Sequence, residues 1–187
     1  GKGLRVKSSD GKYSFQIKGR IMYDIAGLAD YETASGNVAQ DNGFGSEFRR
    51  LRFTLKGDIG DGWGFAFQPD FADGSDDAND RTLVFKDALV YKKIKGFGTI
   101  TVGNQKAAAG LYENTSSNNL IFMERPMHNE MFNLGHRTGI GYDTKGALGK
   151  KFHLKATFFS GKESAIEQNL SDGQDGNESY GFSTAGH

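Results

Sequence analysis

Basic side chains occur at alternating positions in two segments of this sequence, a spacing that suits the binding of small anions. Residues two apart in a β-strand share one face of the sheet, so each segment would present a row of cations. Guanidinium and ammonium groups form charge-assisted hydrogen bonds with phosphate oxygens. The sequence therefore predicts an anion-binding basic face, and its members are Lys18, Arg20, Arg50, Arg52 and Lys56.

Two long amphipathic strands would have to position these cations. Apolar and polar residues alternate from Tyr13 to Ile25 and again from Arg50 to Ile59. Shorter alternating segments follow around Phe65, Ile100 and Leu154. This period of two predicts an all-β protein.

The opposite faces of these strands are apolar, as in a barrel that exposes a hydrophobic belt to lipid. In the strand-like segment from Leu83 to Lys93 the alternation breaks around Asp87, so the sequence leaves its faces unassigned. The predicted belt consists of Tyr13, Phe15, Ile17, Leu51, Phe53, Leu55, Phe65, Phe67, Phe152 and Phe158.

The connections between strands alternate between short and long, a rhythm typical of outer-membrane barrels. The short connections are Gly60 to Gly62, Ile94 to Phe97 and Thr144 to Lys150. The long connections are Ala29 to Gly45, Ala72 to Thr82, Gln105 to Arg137 and Gly161 to Ser179. About eight strands result, and the last of them begins near Tyr180.

Composition excludes several classes of protein. The 27 glycines and 2 prolines suit a β-rich domain with many tight turns. The absence of cysteine excludes disulfide scaffolds and thiolate sites, and a formal net charge of zero gives no overall attraction to nucleic acid. No apolar run approaches the roughly 20 residues of a membrane-spanning helix.

Patterns for catalysis or metal binding are missing as well. The four histidines are scattered without a short metal-ligand spacing. There is no nucleophile elbow and no phosphate-binding glycine loop before a helix, so we predict no enzyme activity, no metal site and no cofactor. The acidic segments Asp70 to Asp80 and Asp172 to Asn177 leave structural calcium as an alternative.

Several short motifs follow one another along the chain in a fixed order. They are Asp10-Gly11-Lys12-Tyr13, Gly19-Arg20-Ile21, Phe48-Arg49-Arg50, Asp87-Ala88, Val102-Gly103 with Lys106 and Gly110-Leu111, Thr115-Ser116-Ser117, Glu124-Arg125-Pro126 and Thr138-Gly139-Ile140-Gly141. In this order and spacing they resemble the phosphate- and polyphosphate-selective porin family, often called the porin O/P family. Members form trimeric transmembrane antiparallel β-barrels of about 16 strands in the outer membrane.

The resemblance implies that residues 1–187 form one porin domain, about the N-terminal half of a barrel that is truncated at its C-terminal end. It also implies a long loop at residues 105–137 that folds into the lumen and narrows it. The cations that it places near the anion are Arg49, Arg50 and Arg125, with Lys106 in support.

Two positions depart from the pattern of the phosphate-selective members. Glu113 stands where they have a lysine, and Asn104 stands where they have an arginine. A carboxylate in the constriction would oppose a phosphate dianion, so these departures favour weaker phosphate selectivity.

The sequence raises two questions of geometry. By alternation Arg49 and Arg50 fall on opposite faces, so both reach the pore only if a β-bulge or a position at the rim of the strand redirects one of them. The loop around Arg125 is unusually apolar, and we expect it to be packed, with Glu124 orienting the guanidinium; a subunit contact is the alternative. The apolar loop residues are Leu120, Ile121, Phe122, Met123 and Met127.

These features predict a porin in the outer membrane of a Gram-negative bacterium, through which small anions, phosphate or polyphosphate above all, diffuse passively. Its expected partners are inorganic phosphate or other small anions, lipopolysaccharide, and two further copies in a homotrimer. One alternative is a general or sugar-transporting porin with weak ion selectivity. The other is a soluble β-sandwich that binds glycans through Trp63, Tyr112 and the acidic loops.

Overall fold

One antiparallel sheet dominates the computed structural model, which describes residues 3–28, 43–72, 83–108, 113, 115–116, 119–122, 125–132, 134–144, 153–163 and 180–186. Within these residues nine strands pair in sequence order, so each strand lies beside its neighbours in the chain. The strands are β1 Leu4–Lys7, β2 Tyr13–Leu28, β3 Gly43–Ile59, β4 Trp63–Asp70, β5 Val84–Ile94, β6 Gly98–Lys106, β7 His136–Asp143, β8 Leu154–Glu163 and β9 Tyr180–Gly186. A short helix, α1, spans Met127–Phe132.

The predicted all-β class is confirmed, and the sheet is open, with β1 and β9 at its edges. The predicted number of about eight strands is one short, because β1 was missed. At four residues β1 is too short to show a period of two that sequence analysis would detect. Among the described residues no helix is both long and apolar enough to cross a membrane.

The sheet has an apolar face, which carries Phe15, Ile17 and Leu55, and a polar face, which carries Lys18, Arg20 and Arg52. Pairing keeps the two sets apart, since Ile17 lies opposite Leu55 and Arg20 lies opposite Arg52. On the apolar face Ile21 is 70% exposed, and no second sheet covers this face in the described part of the chain.

The predicted belt lies on the apolar face. Tyr13, Phe15, Ile17, Phe53, Phe67 and Phe158 are exposed there, and Leu51, Leu55 and Phe65 are partly exposed. Phe152 lies outside the described residues. A single sheet with an uncovered apolar face differs from a soluble sandwich, which buries such faces between two sheets.

A β-bulge interrupts the pairing of β2 with β3 at Arg49. Met22 pairs with Arg50 and Tyr23 pairs with Phe48, which leaves Arg49 without an opposite residue on β2. Phe48 and Leu51 both lie on the apolar face. In a regular strand one residue separates neighbours on the same face, but here two residues, Arg49 and Arg50, separate them. A bulge was one of the two ways in which the sequence allowed both arginines to share a face, and the structure has a bulge here.

A second bulge explains the broken alternation in β5. Gln68 pairs with Asp87 and Pro69 pairs with Phe85, so Lys86 is the extra residue. The bulge places Asp87 on the polar face and Ala88 on the apolar face. Strand β6 fits closely beside this region, because a Cβ on Gly103 would lie 2.2 Å from the Ala88 carbonyl oxygen, and its φ is +122°. Only glycine suits that position.

Two of the predicted short connections are tight turns. Trp63 N donates to Gly60 O at 2.8 Å, and Phe97 N donates to Ile94 O at 3.1 Å. Of the remaining connections, residues 29–42, 73–82, 145–152 and 164–179 lie outside the described part of the chain, together with the acidic segment from Asp172 to Asn177.

Candidate functional site

Five cations form a ladder on the polar face of β2 and β3. The strand pairing places Lys56 opposite Gln16, Lys18 opposite Thr54, Arg20 opposite Arg52 and Arg50 opposite Met22. Alternation in both strands brings these side chains to one face, so the face assignment made from sequence agrees with the register.

The charge of one cation in the ladder, Arg52, is neutralised by a carboxylate. Asp70, at the end of β4, pairs with Arg52 and is fully buried. Its carboxylate also accepts hydrogen bonds from the backbone N–H groups of Leu51 at 3.1 Å and Ala72 at 3.3 Å. Asp58, a second carboxylate on β3, lies 2.8 Å from Lys93. Arg52 is thus a weaker anion ligand than its position suggests.

Arg50 and Arg49 differ in their surroundings. Arg50 is only 8% exposed, and its Nη1 lies 3.3 Å from the Met22 sulfur. Arg49, the extra residue of the bulge, is exposed. Their part in anion binding stays a prediction.

A hollow of about 450 Å³ lies over the middle of the ladder. Among the described residues, no hydrogen bond or ion pair engages the ammonium groups of Lys18 and Lys56. The hollow therefore combines a net positive charge, three cations against the one carboxylate of Asp87, with hydroxyl and amide groups. Its polar lining residues are Lys18, Arg20, Thr54, Lys56, Gln68, Asp87 and Ser116.

The beginning of the segment 105–137 lies on the polar face of β8. Ala107 and Ala108 are 0% and 1% exposed, and Ala108 N donates to Thr157 Oγ1 at 3.2 Å. Lys155 Nζ donates to the Lys106 carbonyl oxygen at 3.1 Å. Together with Phe159, which is also buried, these alanines form the small packed core of the described sheet. Ser116, from the same loop, lines the hollow over the ladder.

A buried charge cluster joins this loop to the end of β6. Glu113 is 5% exposed, and its carboxylate oxygens lie 3.2 Å from Lys106 Nζ and 3.6 Å from Arg125 Nε. The Asn129 amide donates to the same carboxylate at 3.3 Å. Burial by itself raises the pKa of Glu113, but the two cations and the amide outweigh it, so this pKa lies below its usual value.

The loop departs from its sequence-based description in the partner of Arg125 and in the exposure of its apolar side chains. Arg125 is oriented by Glu113 and by the Thr115 carbonyl oxygen, to which its Nη2 donates at 3.0 Å, whereas Glu124 lies outside the described residues. Ile121, Phe122 and Met127 are 94%, 79% and 79% exposed, so the described residues do not supply the expected packing of these apolar side chains, which stays a prediction.

The second departure from the family pattern, Asn104, has a structural explanation. Its Nδ2 donates to the carbonyl oxygens of Phe85 at 2.7 Å and Lys86 at 3.0 Å. The amide thus satisfies backbone groups beside the β5 bulge and is 6% exposed.

A second hollow, of about 760 Å³, lies over β5 to β8 and has mixed charge. The carboxylates in its lining have imidazole neighbours: His153 Nε2 lies 2.8 Å from Asp143 and His136 Nε2 lies 3.5 Å from Asp87. Sequence analysis named Lys106 but missed Lys93, Lys95 and Lys155, although Lys155 stands on the polar side of an alternating strand. The charged lining residues are Asp87, Lys93, Lys95, Lys106, Asp143 and Lys155.

Of the residues suggested for glycan binding, Trp63 lies in the described part of the chain, so their convergence stays untested. Trp63 lies at the start of β4, 45% exposed, with Lys92 Nζ 4.9 Å from its ring centroid. Tyr112 and residues 73–82 lie outside the described residues.

Comparison with known proteins gives two matches. Residues 15–186 match the family described as phosphate-selective porin O and P. An uncharacterized protein of Caulobacter vibrioides is 30% identical over 178 residues, which cover 93% of this chain and 33% of that protein. The chain thus spans about a third of the length of the curated relative it matches.

Proposed function

The chain belongs to the phosphate-selective porin O and P family, and on that premise we propose that it forms part of the wall of an outer-membrane channel for small anions. Membership in a porin family assigns the chain to channels rather than to enzymes. Solutes would cross by passive diffusion without a cofactor, and phosphate or polyphosphate are the proposed anions.

The observation that carries this proposal is the cation ladder on the polar face. Lys18 and Lys56 form no hydrogen bond or ion pair with the described residues, whereas Arg52 pairs with Asp70. In an aqueous lumen an anion would exchange water for charge-assisted hydrogen bonds with Lys18, Arg20 and Lys56. Because these groups are partly exposed, binding stays weak enough for release, which conduction requires.

Two further observations support a channel wall. The opposite face of the sheet is apolar and uncovered, as a lipid-facing surface must be. The loop of residues 105–137 lies against the polar face at Ala107 and Ala108, which supports its proposed role as a constriction. The proposed barrel has about 16 strands, to which the strands of this chain contribute part.

The proposed location is the outer membrane of a Gram-negative bacterium, with lipopolysaccharide as the surrounding lipid. The proposed assembly is a homotrimer, as is typical of the family. The uncovered apolar face offers surface for lipid and for a subunit contact alike.

A general porin with weak ion selectivity is the second candidate function. It is favoured by the mixed charge of the larger hollow, where Asp87 and Asp143 accompany the lysines. A channel of this kind would discriminate little between chloride and potassium.

The two candidates are separated by the reversal potential of the full-length protein in a planar bilayer under a potassium chloride gradient. We expect anion selectivity that falls in the double variant Lys18→Ala/Lys56→Ala. Removal of a charge about 4 Å from an ion in water changes its energy by about 1 kcal/mol, so each lysine contributes up to about fivefold to the permeability ratio.

Lys12→Ala is the matched control, because Lys12 is an exposed lysine of the turn between β1 and β2. This variant should keep the wild-type reversal potential. A cation-selective wild-type channel, or a double variant with unchanged selectivity, would overturn the anion assignment. Addition of phosphate on one side tests the finer claim, since a phosphate site predicts block of the chloride current.

A further inference from the structure

We infer that Glu113 is a selectivity-determining residue that compensates Lys106 and Arg125 and thereby lowers the preference of the channel for doubly charged over singly charged anions. The inference rests on the proposed function, because it concerns which anions the same pore passes. It concerns a residue that sequence comparison marked only as a departure from the family pattern.

Geometry makes Glu113 the common partner of Lys106 and Arg125. One carboxylate oxygen faces Lys106 Nζ at 3.2 Å and the other faces Arg125 Nε at 3.6 Å. Lys106 Nζ also donates to the Glu113 carbonyl oxygen at 2.6 Å. Both cations are therefore directed toward Glu113, and each is mostly withdrawn from solvent, with side chains 27% and 12% exposed.

The cluster lies beside both hollows of the polar face. Lys106 lines the larger hollow, and Ser116, three residues after Glu113, lines the hollow over the ladder. The charges of the cluster therefore act on an ion in either place. Two cations and one carboxylate leave a single net positive charge where two would otherwise act.

The effect of a carboxylate on an anion grows with the charge of that anion. Coulomb energy is proportional to each charge, so the repulsion between Glu113 and a dianion is twice its repulsion of chloride. Glu113 also weakens the attraction of Lys106 and Arg125 for an anion, and this loss too is twice as large for a dianion as for chloride. A wild-type channel with this cluster would pass chloride more readily, relative to phosphate or sulfate dianions, than one without the carboxylate.

The test compares Glu113→Gln with the wild type in full-length channels, using reversal potentials under chloride against phosphate and chloride against sulfate at neutral pH. Glutamine keeps the shape and can accept a hydrogen bond, but it removes the charge. We expect the permeability of the dianions relative to chloride to rise by about fivefold, the value for one charge at about 4 Å in water.

Two variants control for charge and for local structure. Glu47→Gln removes one exposed carboxylate of β3, distant in sequence from the loop, and should change the ratio much less. Glu113→Asp keeps the charge on a side chain that is one methylene shorter, and should stay close to the wild type. Equal shifts in Glu113→Gln and Glu47→Gln would show a general charge effect and would overturn the inference.

If Glu113→Gln does not insert into the bilayer, acidification of the wild type supplies the same comparison without a substitution. The pKa of Glu113 lies below its usual value, so its protonation occurs only when the pH falls below the ordinary carboxyl range. In the part of that acidic range in which sulfate still keeps two charges, its permeability relative to chloride should rise by a step that is also present in Glu47→Gln. A ratio without this step overturns the inference.

Failure of this inference and failure of the proposed function give different results. A cation-selective wild type would overturn the anion channel, whatever Glu113 does. An anion-selective wild type in which Glu113→Gln leaves the dianion ratio unchanged would overturn the role of Glu113 alone.

Discussion

At the scale of single residues, the value of a cation for anion binding depends on its nearest carboxylate. Arg52 has the buried Asp70 as its partner, and Lys93 has Asp58, so neither offers its full charge to a solute. Lys18 and Lys56 have no such partner among the described residues and line a hollow. A cation must therefore lie on the polar face to bind an anion from the lumen, but this position alone does not determine how strongly it binds.

The Arg52–Asp70 pair has a structural role that substitution can expose. Asp70→Asn leaves Arg52 without its counter-charge at a site where Asp70 is fully buried. We expect the free energy of unfolding to fall by about 3 kcal/mol, the usual cost of breaking a buried ion pair. Urea unfolding of the full-length protein in lipid vesicles measures this change.

Asp61→Asn is the matched control for that substitution. Asp61 is exposed in the turn after β3 and has a φ of 47°, a conformation that asparagine tolerates. Its unfolding free energy should stay within about 0.5 kcal/mol of the wild type. An Asp70→Asn protein as stable as Asp61→Asn would contradict a stabilising role for the pair.

At the scale of elements, the period of two predicts strands and faces well wherever it is unbroken. It assigned the ladder on β2 and β3 to one face, and the register agrees. It gave no assignment where β5 has a bulge at Lys86, because a single extra residue reverses the face of all that follow. At Arg49 the conflict between alternation and family resemblance left a bulge and a rim position open, and the register shows a bulge.

Contacts between elements that are distant in sequence cannot be predicted from the alternation of apolar and polar residues. The ion pairs of Glu113 with Lys106 and Arg125 depend on how the loop folds back. The hydrogen bond from Ala108 to Thr157 depends on it too. Alternation describes only local geometry, so the sequence identified these residues without their partners. The packing expected for the loop stays a prediction, since its Ile121 is 94% exposed in the described part of the chain.

The hydrogen bond that joins the loop to β8 gives a prediction at the scale of elements. Thr157 is 1% exposed, and its hydroxyl accepts the hydrogen bond from Ala108 N at 3.2 Å. Thr157→Val keeps the shape but leaves that buried N–H unsatisfied, a loss of about 1 kcal/mol or more. If the loop narrows the lumen, single-channel conductance or open-channel current noise should increase.

The corresponding change on the other face is Thr184→Val. Thr184 pairs with Ala156 on the apolar face of β8 and β9 and is exposed. Conductance and noise should equal the wild-type values in this variant. Wild-type behaviour of Thr157→Val would mean that the contact with Ala108 does not hold the loop.

At the scale of the whole molecule, the two faces of the sheet require different solvents. The apolar face carries exposed side chains such as Ile21, at 70%, and Phe182, at 68%, whereas the polar face carries the ladder and both hollows. Water on one side and hydrocarbon on the other satisfies both faces. This division follows from the sequence itself, since it needs only the alternation of residue types along the strands.

Two neighbouring residues of β6 test that division directly. Val102 lies on the apolar face, 54% exposed, and Thr101 lines the larger hollow on the polar face. Val102→Arg places a charge in the lipid-facing band, which costs about 2–4 kcal/mol near the middle of the bilayer. Thr101→Arg places the same charge in water, so it should fold normally and shift the reversal potential toward anion selectivity.

Urea titration of the full-length protein in vesicles, with heat-dependent mobility on gels as the readout of folding, distinguishes the variants. Equal loss of folding in both, or a loss in Thr101→Arg alone, would contradict the assignment of the two faces.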